Sequence, residues 1–320
     1  MRVMFVEMMV VLAMLLPWTQ GLHIVSYHAE RGVPEAPLVT STLCVGAAKH
    51  GSVCPVVNLA DPAVVTPIKG GIAKYDISGI TKLRFLARYL RVLIKKGDGA
   101  EDIIFLDGSD VVYVGCGKGR GDGMAGILAH LQTQVDASRN ASGGAQVVLG
   151  MEFNPYQVQG HAKGVPPWAR RQCPFLNVRS LFPSEHYRYF NSGMVAGRVD
   201  VLLPMVAESI RIVGRNKQLG DQGAYQVWLN THRNTTRAGG DYCATLVLNM
   251  ARSNQGVVDD SFFSSSLLPE GPVVRWQLPQ MEGGAGQVHK ETELCFMHFN
   301  GWSKRNSKLF TKIKAKYHHV

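Results

Sequence analysis

The chain of 320 residues is 46% hydrophobic and 18% charged, a composition that excludes a disordered or fibrous protein. It is long enough to bury a large core, as one big domain or as two halves. The 34 Lys and Arg residues outnumber the 24 Asp and Glu residues, and the net charge of +10 favours anionic partners. Nucleic acid is one generic candidate. We expect no nucleic-acid partner, because no zinc-finger spacing, RNA-recognition signature or basic heptad accompanies the charge.

The first 21 residues have the features of a secretory signal peptide: an early Arg2, an apolar run over residues 8–16, and a Pro-Trp-Thr-Gln-Gly exit. The run is shorter than a membrane span requires. An uncleaved anchor is the open alternative, and membrane contact is expected only in that case. Two glycosylation sequons, at Asn140 and Asn234, are compatible with secretory passage. We predict the endoplasmic reticulum or Golgi lumen, or secretion.

The cysteine count supports the same compartment. An even number suits an oxidising environment, and the six are Cys44, Cys54, Cys116, Cys173, Cys243 and Cys295. Their wide spacings define no pairing. No C-x-x-C occurs, so structural zinc is not expected.

After the leader, strand and helix patterns alternate. Residues 22–26 form an apolar strand, residues 36–50 a helix that ends near Gly51, and residues 53–59 a second strand. Residues 77–97 carry apolar side chains at helical spacing and stop at Gly97, after a Lys-Lys end that suits the helix dipole. A third strand follows at residues 102–107. This order predicts a parallel sheet with helices on both faces.

The second half of the chain is more mixed. We predict strands within residues 145–156 and 189–198, helices over about 199–213 and 219–232, an irregular strand within 241–250, and a basic amphipathic helix in the C-terminal tail. Residues 160–183, rich in Gly, Pro and Arg, predict a long surface loop. We interpret residues 22–320 as one mixed α/β domain, with a nucleotide-binding half (22–140) and an acceptor half (141–320).

The stretch "DIIFLDGSDVVYVG" ends a buried strand on two carboxylates, Asp107 and Asp110. One explanation is a simple turn, because Asp and Gly favour corners. The other is a ligand site, since ligands bind beyond the carboxyl ends of parallel strands. Two carboxylates three residues apart can reach one hard divalent cation, which would relieve their mutual repulsion. The position at a strand end favours the metal site.

A second polar group follows the apolar strand in "CFMHFNGWSK". His298 with two Asp is a plausible ligand set for Mn²⁺, which accepts imidazole better than Mg²⁺ does. Asn300 and Gly301 form a turn that exposes backbone amides, and Lys304 can neutralise a phosphate. The alternative is a buried core histidine beside a helix cap. Lys82 likewise has the alternative of an ordinary helix-surface lysine.

The order of these motifs resembles the glycosyltransferase domain of the procollagen lysyl hydroxylases and their collagen glycosyltransferase relatives. The matching segments run from residue 22 to about 308. They are "GG" then "TKLRFLARYL", "FLDGSDVVYVG", a strand ending in Glu152, "YFNSGMVAG", "LGDQGAYQVWL", "DYCATLVLN" and "HFNGWSK". Each motif is weak by itself, and their shared order is the strong signal. The hydroxylase domain of those larger proteins is absent from this chain.

The resemblance implies a GT-A fold, in which a Rossmann-like mixed sheet is flanked by helices, with a UDP-sugar donor and a Mn²⁺ ion. Position by position, Asp107, Asp110 and His298 fall on the family's metal ligands. Lys82, Asn300 and Lys304 fall near the nucleotide, Ser26 and His28 on the loop lining the uridine, and Asn191 and Asp221 on the donor-sugar and acceptor side. Two alternatives stay open: Asn191 in a plain turn, and Asp221 as a charge at a helix N-terminus.

Three departures from the family pattern bear on donor and acceptor identity. Gly108-Ser109 stands where the family has a Tyr, a run of Asp is reduced to Gly220-Asp221, and "FNPY" replaces a Cys-Trp-Pro segment. The predicted function is a metal-dependent glycosyltransferase that moves glucose or galactose from a UDP-sugar to a hydroxyl of a glycan or hydroxylysine-type protein acceptor. The alternative is a catalytically weak or inactive protein on the same fold that binds nucleotide-sugar or glycan.

Overall fold

The computed structural model describes residues 21–30, 33–34, 36–49, 56–65, 79–116, 124, 126–132, 146–152, 189–232, 238–240, 247–250, 252–253, 256–257, 263–268, 271–276, 294–300 and 302–317. The predicted leader up to residue 20, both sequons, the predicted loop at 160–183 and Gly301 lie outside these residues. Among the described residues, no helix has the length and apolar character needed to span a membrane.

The described elements follow the predicted order. The strands are β1 (Leu22–Tyr27), β2 (Ala29–Glu30), β3 (Val33–Pro34), β4 (Val56–Asn58), β5 (Asp102–Asp107), β6 (Val111–Tyr113), β7 (Val147–Glu152), β8 (Tyr189–Arg198), β9 (Ala238–Gly240), β10 (Val247–Asn249), β11 (Arg252–Ser253), β12 (Gly256–Val257), β13 (Phe263–Leu268), β14 (Gly271–Trp276) and β15 (Phe296–His298). The helices are α1 (Leu38–Lys49), α2 (Ile80–Lys96), α3 (Val199–Arg215), α4 (Gly220–Thr231), α5 (Trp302–Asn306) and α6 (Lys308–Tyr317). The predicted strands at 53–59 and 241–250 are short, three residues each.

The main sheet has six strands in the order β4-β1-β5-β8-β7-β9. Strand β1 runs parallel to β4 and β5, as the β-α-β-α-β order predicts, whereas β8 is antiparallel to both β5 and β7. The predicted α/β class, with a mixed sheet flanked by helices, is confirmed. The two predicted halves each supply three neighbouring strands, so one sheet runs through both.

Both faces of this sheet are covered, because successive strand residues point to opposite sides. Val25 and Phe105 belong to a buried cluster with residues of α2, α3 and α4. Ile24 and Ile104 belong to a second cluster that includes Val39 of α1. The near-continuous apolar runs of β1 and β5 are what a doubly covered parallel pair requires.

A second sheet of three strands, in the order β10-β15-β6, lies beside the end of β5. Strand β15 runs parallel to β10 and antiparallel to β6, with His298 opposite Val111. A disulfide between Cys116, just after β6, and Cys295, just before β15, closes the far end of that ladder. The small sheet therefore brings the end of β15 next to the turn that follows β5.

Candidate active site

Three side chains predicted as metal ligands lie together at the carboxyl end of β5. Asp107 ends β5, Asp110 closes the following turn, and His298 ends β15. The His298 Nε2 atom is 3.5 Å from Asp110 Oδ1 and 3.9 Å from Asp107 Oδ2. One ligand atom from each residue lies within 4.8 Å of the other two. The Asp-Gly-Ser-Asp segment is thus both a turn and the point where two carboxylates meet an imidazole.

The hydrogen bonds of Asn249 set the protonation of His298. Asn249 Nδ2 donates to the Met151 carbonyl at 2.7 Å, so its Oδ1 atom is the acceptor for His298 Nδ1 at 2.6 Å. A neutral imidazole that donates from Nδ1 carries its lone pair on Nε2. That lone pair faces the two carboxylates, and Nε2 in this state has no proton to offer them. The arrangement is the one that metal-ligating histidines use, with the other ring nitrogen held by a polar partner.

The donor set fits a divalent cation. Asp110 Oδ1 is buried and receives no hydrogen bond from the described residues, and a buried acceptor of this kind is costly unless something compensates it. Two carboxylate oxygens and one imidazole nitrogen suit Mn²⁺. Asp107 and Asp110 with His298 would hold such an ion.

The two carboxyls differ in their electrostatic surroundings. Burial alone would raise the pKa of Asp110, but a protonated His298, followed by Lys304, outweighs it and lowers that pKa to about 2. In the neutral state that Asn249 favours, His298 carries no such charge, and of these two residues only Lys304 opposes burial. Burial raises the pKa of Asp107, and the neighbouring Asp110 charge adds to this although Lys82 opposes it. The two lysines thus act on different carboxyls, Lys304 on Asp110 and Lys82 on Asp107.

Lys82 is partly buried and bridges two carboxylates, so the alternative of an ordinary surface lysine is excluded. Its Nζ atom is 2.6 Å from Asp107 Oδ1 and 2.5 Å from Asp221 Oδ2. Burial opposes the charged form, yet the two carboxylates outweigh it and raise the pKa of Lys82 above its ordinary value. Gly79, at φ 67°, precedes α2, and a Cβ there would lie 2.9 Å from Asp221 Cγ. The glycine lets the start of α2 approach Asp221.

Lys304 on α5 is the more exposed cation of the site. Its Nζ atom donates to Ser109 Oγ at 2.8 Å and lies 3.4 Å from Asp110 Oδ2, and 39% of its side chain is exposed, against 15% for Lys82. Asn300 precedes α5, and its carbonyl accepts hydrogen bonds from the Ser303 backbone and hydroxyl. Lys304 is thus the cation that an incoming anion reaches first.

Gly108, between the two carboxylates, has no room for a side chain. A Cβ there would overlap His28 Cβ and would lie 2.6 Å from the Tyr27 carbonyl oxygen. The close approach of the chain after β1 therefore favours glycine at this position. Ser109, the second residue of the turn, is bonded to Lys304.

The two residues predicted to line a uridine, Ser26 and His28, differ in their exposure. Ser26 is fully buried, and its hydroxyl donates to the Leu106 carbonyl at 2.9 Å, so it presents no surface to a ligand. His28 is partly exposed just after β1, where the Asn58 side chain bonds both its backbone N–H and its carbonyl. Of the two, only His28 has side-chain surface that a ligand could contact.

Asn191 lies in a bulge of β8, where the pairing with β7 shifts between Leu149 and Gly150. It is buried, and its Oδ1 atom accepts a hydrogen bond from the Gly193 backbone at 2.6 Å. A Cβ at Gly193 would overlap His298 Cε1. Asn191 thus shapes the backbone against which the imidazole packs, and Gly193 leaves space for the ring.

Two residues of the site were not anticipated. Asn249 had no sequence signal, because it becomes a partner of His298 only through the β10–β15 register. Tyr225 is four residues after Asp221 on α4, a spacing that places both on one helix face and could have identified it. Its hydroxyl is buried and bonds to none of the described residues, and burial followed by the Asp221 charge raises its pKa.

Comparisons with known proteins add little to this geometry. No protein-family model matches the chain, and no curated protein matches its sequence. A structure of apo WbbM, a bifunctional glycosyltransferase, aligns with 94% of this chain at 12% identity and a TM-score of 0.41, and this chain spans about half of that one (53%). Mannose-1-phosphate geranyltransferase from Thermus thermophilus aligns with 79% of this chain and 94% of its own, at 14% identity and a TM-score of 0.30. Similarities this weak indicate nothing about activity, and the family named above stays a prediction.

Proposed function

We propose that the protein is a metal-dependent glycosyltransferase of GT-A type. It would use Mn²⁺ to transfer a hexose, glucose or galactose, from a UDP-sugar to a hydroxyl of a glycan or hydroxylysine-type protein acceptor. The single observation that supports metal binding is the orientation of His298. Asn249 holds its lone pair toward two carboxylates, and one of these has a buried oxygen that accepts no hydrogen bond from the described residues. The identity of the donor and acceptor rests on the motif order alone.

The basic side chains around the carboxylates support an anionic donor. A divalent ion held by Asp107, Asp110 and His298 would supply positive charge to a departing diphosphate. Lys304 lies at the exposed side of Asp110 and can contact a phosphate oxygen as a point charge. The net charge of +10 adds a field that attracts such a ligand.

Asp221 is our candidate for orienting the acceptor hydroxyl or stabilising positive charge on the sugar. It lies in the first turn of α4, and Lys82 joins it to Asp107. This bridge fixes Asp221 relative to the metal ligands, which is the kind of preorganisation that catalysis by charge requires. Asn191 contributes by positioning the backbone behind His298.

The same bridge favours a second candidate, a nucleotide-sugar or glycan-binding protein without turnover. Lys82 Nζ lies 2.5 Å from Asp221 Oδ2 and neutralises that carboxylate. In a transferase, Asp221 would therefore have to separate from Lys82 or act while still paired with it. The two candidates differ in whether sugar is released.

The test is UDP release from a panel of UDP-sugars, with and without MnCl₂, together with calorimetric titration of Mn²⁺ and UDP. We expect Asp110→Asn to weaken Mn²⁺ binding by at least about tenfold, since even outer-shell partners of a metal contribute that much, and to abolish metal-dependent release. Asp200→Asn is the matched control, because Asp200 pairs with Arg198 at the start of α3. Mn²⁺ and UDP binding without release would support the second candidate. A folded protein that binds neither would overturn both.

A further inference from the structure

A basic groove runs along the outer face of α2, away from the candidate active site. It has a volume of about 620 Å³ and is walled by Arg84, Arg88, Arg91 and Lys95, with Val92 and Ile210 beside them. Lys82 and Arg91 are nine residues apart, which places them on opposite sides of the helix at 3.6 residues per turn. The groove is therefore a separate surface.

Three of the positive charges in this groove are not compensated. In the described part of the chain, no carboxylate lies within ion-pair distance of Arg84, Arg91 or Lys95, whereas Arg198 and Arg211 on and beside α3 each pair with an acid. Arg91 and Lys95 are four residues apart, and like charges at that spacing destabilise a helix. Arg84, Arg91 and Lys95 are exposed and are spread over about 16 Å of helix. They make a surface that an anionic partner would stabilise.

We infer that this groove binds an anionic polysaccharide, sulfated or carboxylated. Guanidinium groups pair with sulfate and carboxylate through two parallel hydrogen bonds, and a straight row of them suits a chain with repeating charges. Val92 is 38% exposed, and it and Ile210 offer apolar surface to the C–H faces of sugar rings. Single-stranded nucleic acid favours aromatic stacking, and no described residue lining the groove is aromatic.

The disulfide supports the same class of partner. Cys116 and Cys295 are bonded, and stable disulfides belong to oxidising compartments such as the secretory pathway and the cell exterior. Anionic polysaccharides share those compartments, whereas nucleic acids are concentrated in reducing ones. This inference is independent of the proposed transferase activity, because it uses none of the residues of that site.

The test is the binding of a size-defined fluorescent heparin oligosaccharide, followed by anisotropy at increasing NaCl. A groove variant carries Arg84→Gln, Arg91→Gln and Lys95→Gln. A matched tail variant loses the same charge through Lys308→Gln, Lys312→Gln and Lys314→Gln, three exposed positions on α6. We expect the groove variant to bind at least about tenfold more weakly with a shallower salt dependence, and the tail variant to change by less than about threefold.

Equal weakening by both variants would overturn the inference, because net charge alone would then explain the binding. Failure of the wild-type protein to bind heparin at physiological salt would overturn it too. The inference would also be overturned if polyglutamate or single-stranded DNA of equal charge displaced the labelled oligosaccharide as effectively as unlabelled heparin does. Circular dichroism and the thermal midpoint check folding, and if the triple variant does not fold, Arg84→Gln and Arg91→Gln carry the test singly.

Discussion

Replacing Asn249 by Ala tests the claim that a hydrogen bond prepares His298 for a metal. The change removes the acceptor of His298 Nδ1 and the donor to the Met151 carbonyl, while all three proposed ligands remain. The imidazole is then free to carry its proton on Nε2, facing the carboxylates. Loss of such a partner typically weakens metal binding by about 10- to 100-fold, which corresponds to about 1.4–2.7 kcal/mol.

The same substitution also reduces stability, so binding and folding have to be measured separately. Each buried polar group left without a partner costs about 1–3 kcal/mol. Calorimetric titration with MnCl₂ gives the affinity, and urea denaturation gives the free energy of unfolding. Thr42→Val is the control, because Thr42 is buried and its hydroxyl bonds the backbone of Tyr113 and of Leu38, none of which belongs to the proposed metal site. We expect it to lose stability and keep its Mn²⁺ affinity.

Asn249→Asp makes the test sharper. A carboxylate accepts the Nδ1 proton at least as well as an amide, so we expect the tautomer and the Mn²⁺ affinity to be retained. The variant loses the bond to Met151 and is expected to be less stable than the wild type. Wild-type Mn²⁺ affinity in Asn249→Ala would refute the reasoning, because the proton of His298 would then not depend on Asn249.

Two other predictions concern single positions. Gly193→Ala places a Cβ in overlap with His298 Cε1. We expect the ring to move and the Mn²⁺ affinity to fall at least about tenfold. An unchanged affinity by calorimetry would show that packing against Gly193 does not position the imidazole. Burial raises the pKa of the Asp102 carboxyl, although Arg198 opposes the shift. The folded state therefore favours the protonated form, and the protein loses stability as the pH rises above the ordinary pKa of 3.8. Asp102→Asn should therefore raise the urea midpoint at pH 7 and leave it nearly unchanged at pH 3; an equal gain at both values would contradict a charge effect.

Periodicity and strand-end chemistry were sufficient to predict much of this fold. The apolar runs of β1 and β5 and the helical spacing in α2 are local properties, so the sequence carries them directly. Asp107 could be placed at a sheet edge because it ends a strand that follows a helix and runs parallel to β1. The role of Lys82 was harder to predict, since the lysine pairs with Asp221, which lies on another helix.

The features that escaped prediction depend on pairing between distant segments. Asn249 meets His298 because β10 and β15 are in register, and three-residue strands give too little pattern to fix a register. The bulge at Asn191 has no periodic signature either. Six cysteines allow 15 pairings, so the bond between Cys116 and Cys295 could not be derived from their spacing.

The bond between Cys116 and Cys295 also keeps the chain covalently linked after proteolysis between the two cysteines. Cys116 and Cys295 are 179 positions apart, so the covalent loop between them contains more than half of the molecule. A protease that hydrolyses one peptide bond in this loop leaves a single molecule, which separates into two fragments only after reduction. Asp110 and His298 lie just outside the loop, one near each cysteine. A nicked protein therefore keeps these two proposed ligands in segments joined by the disulfide.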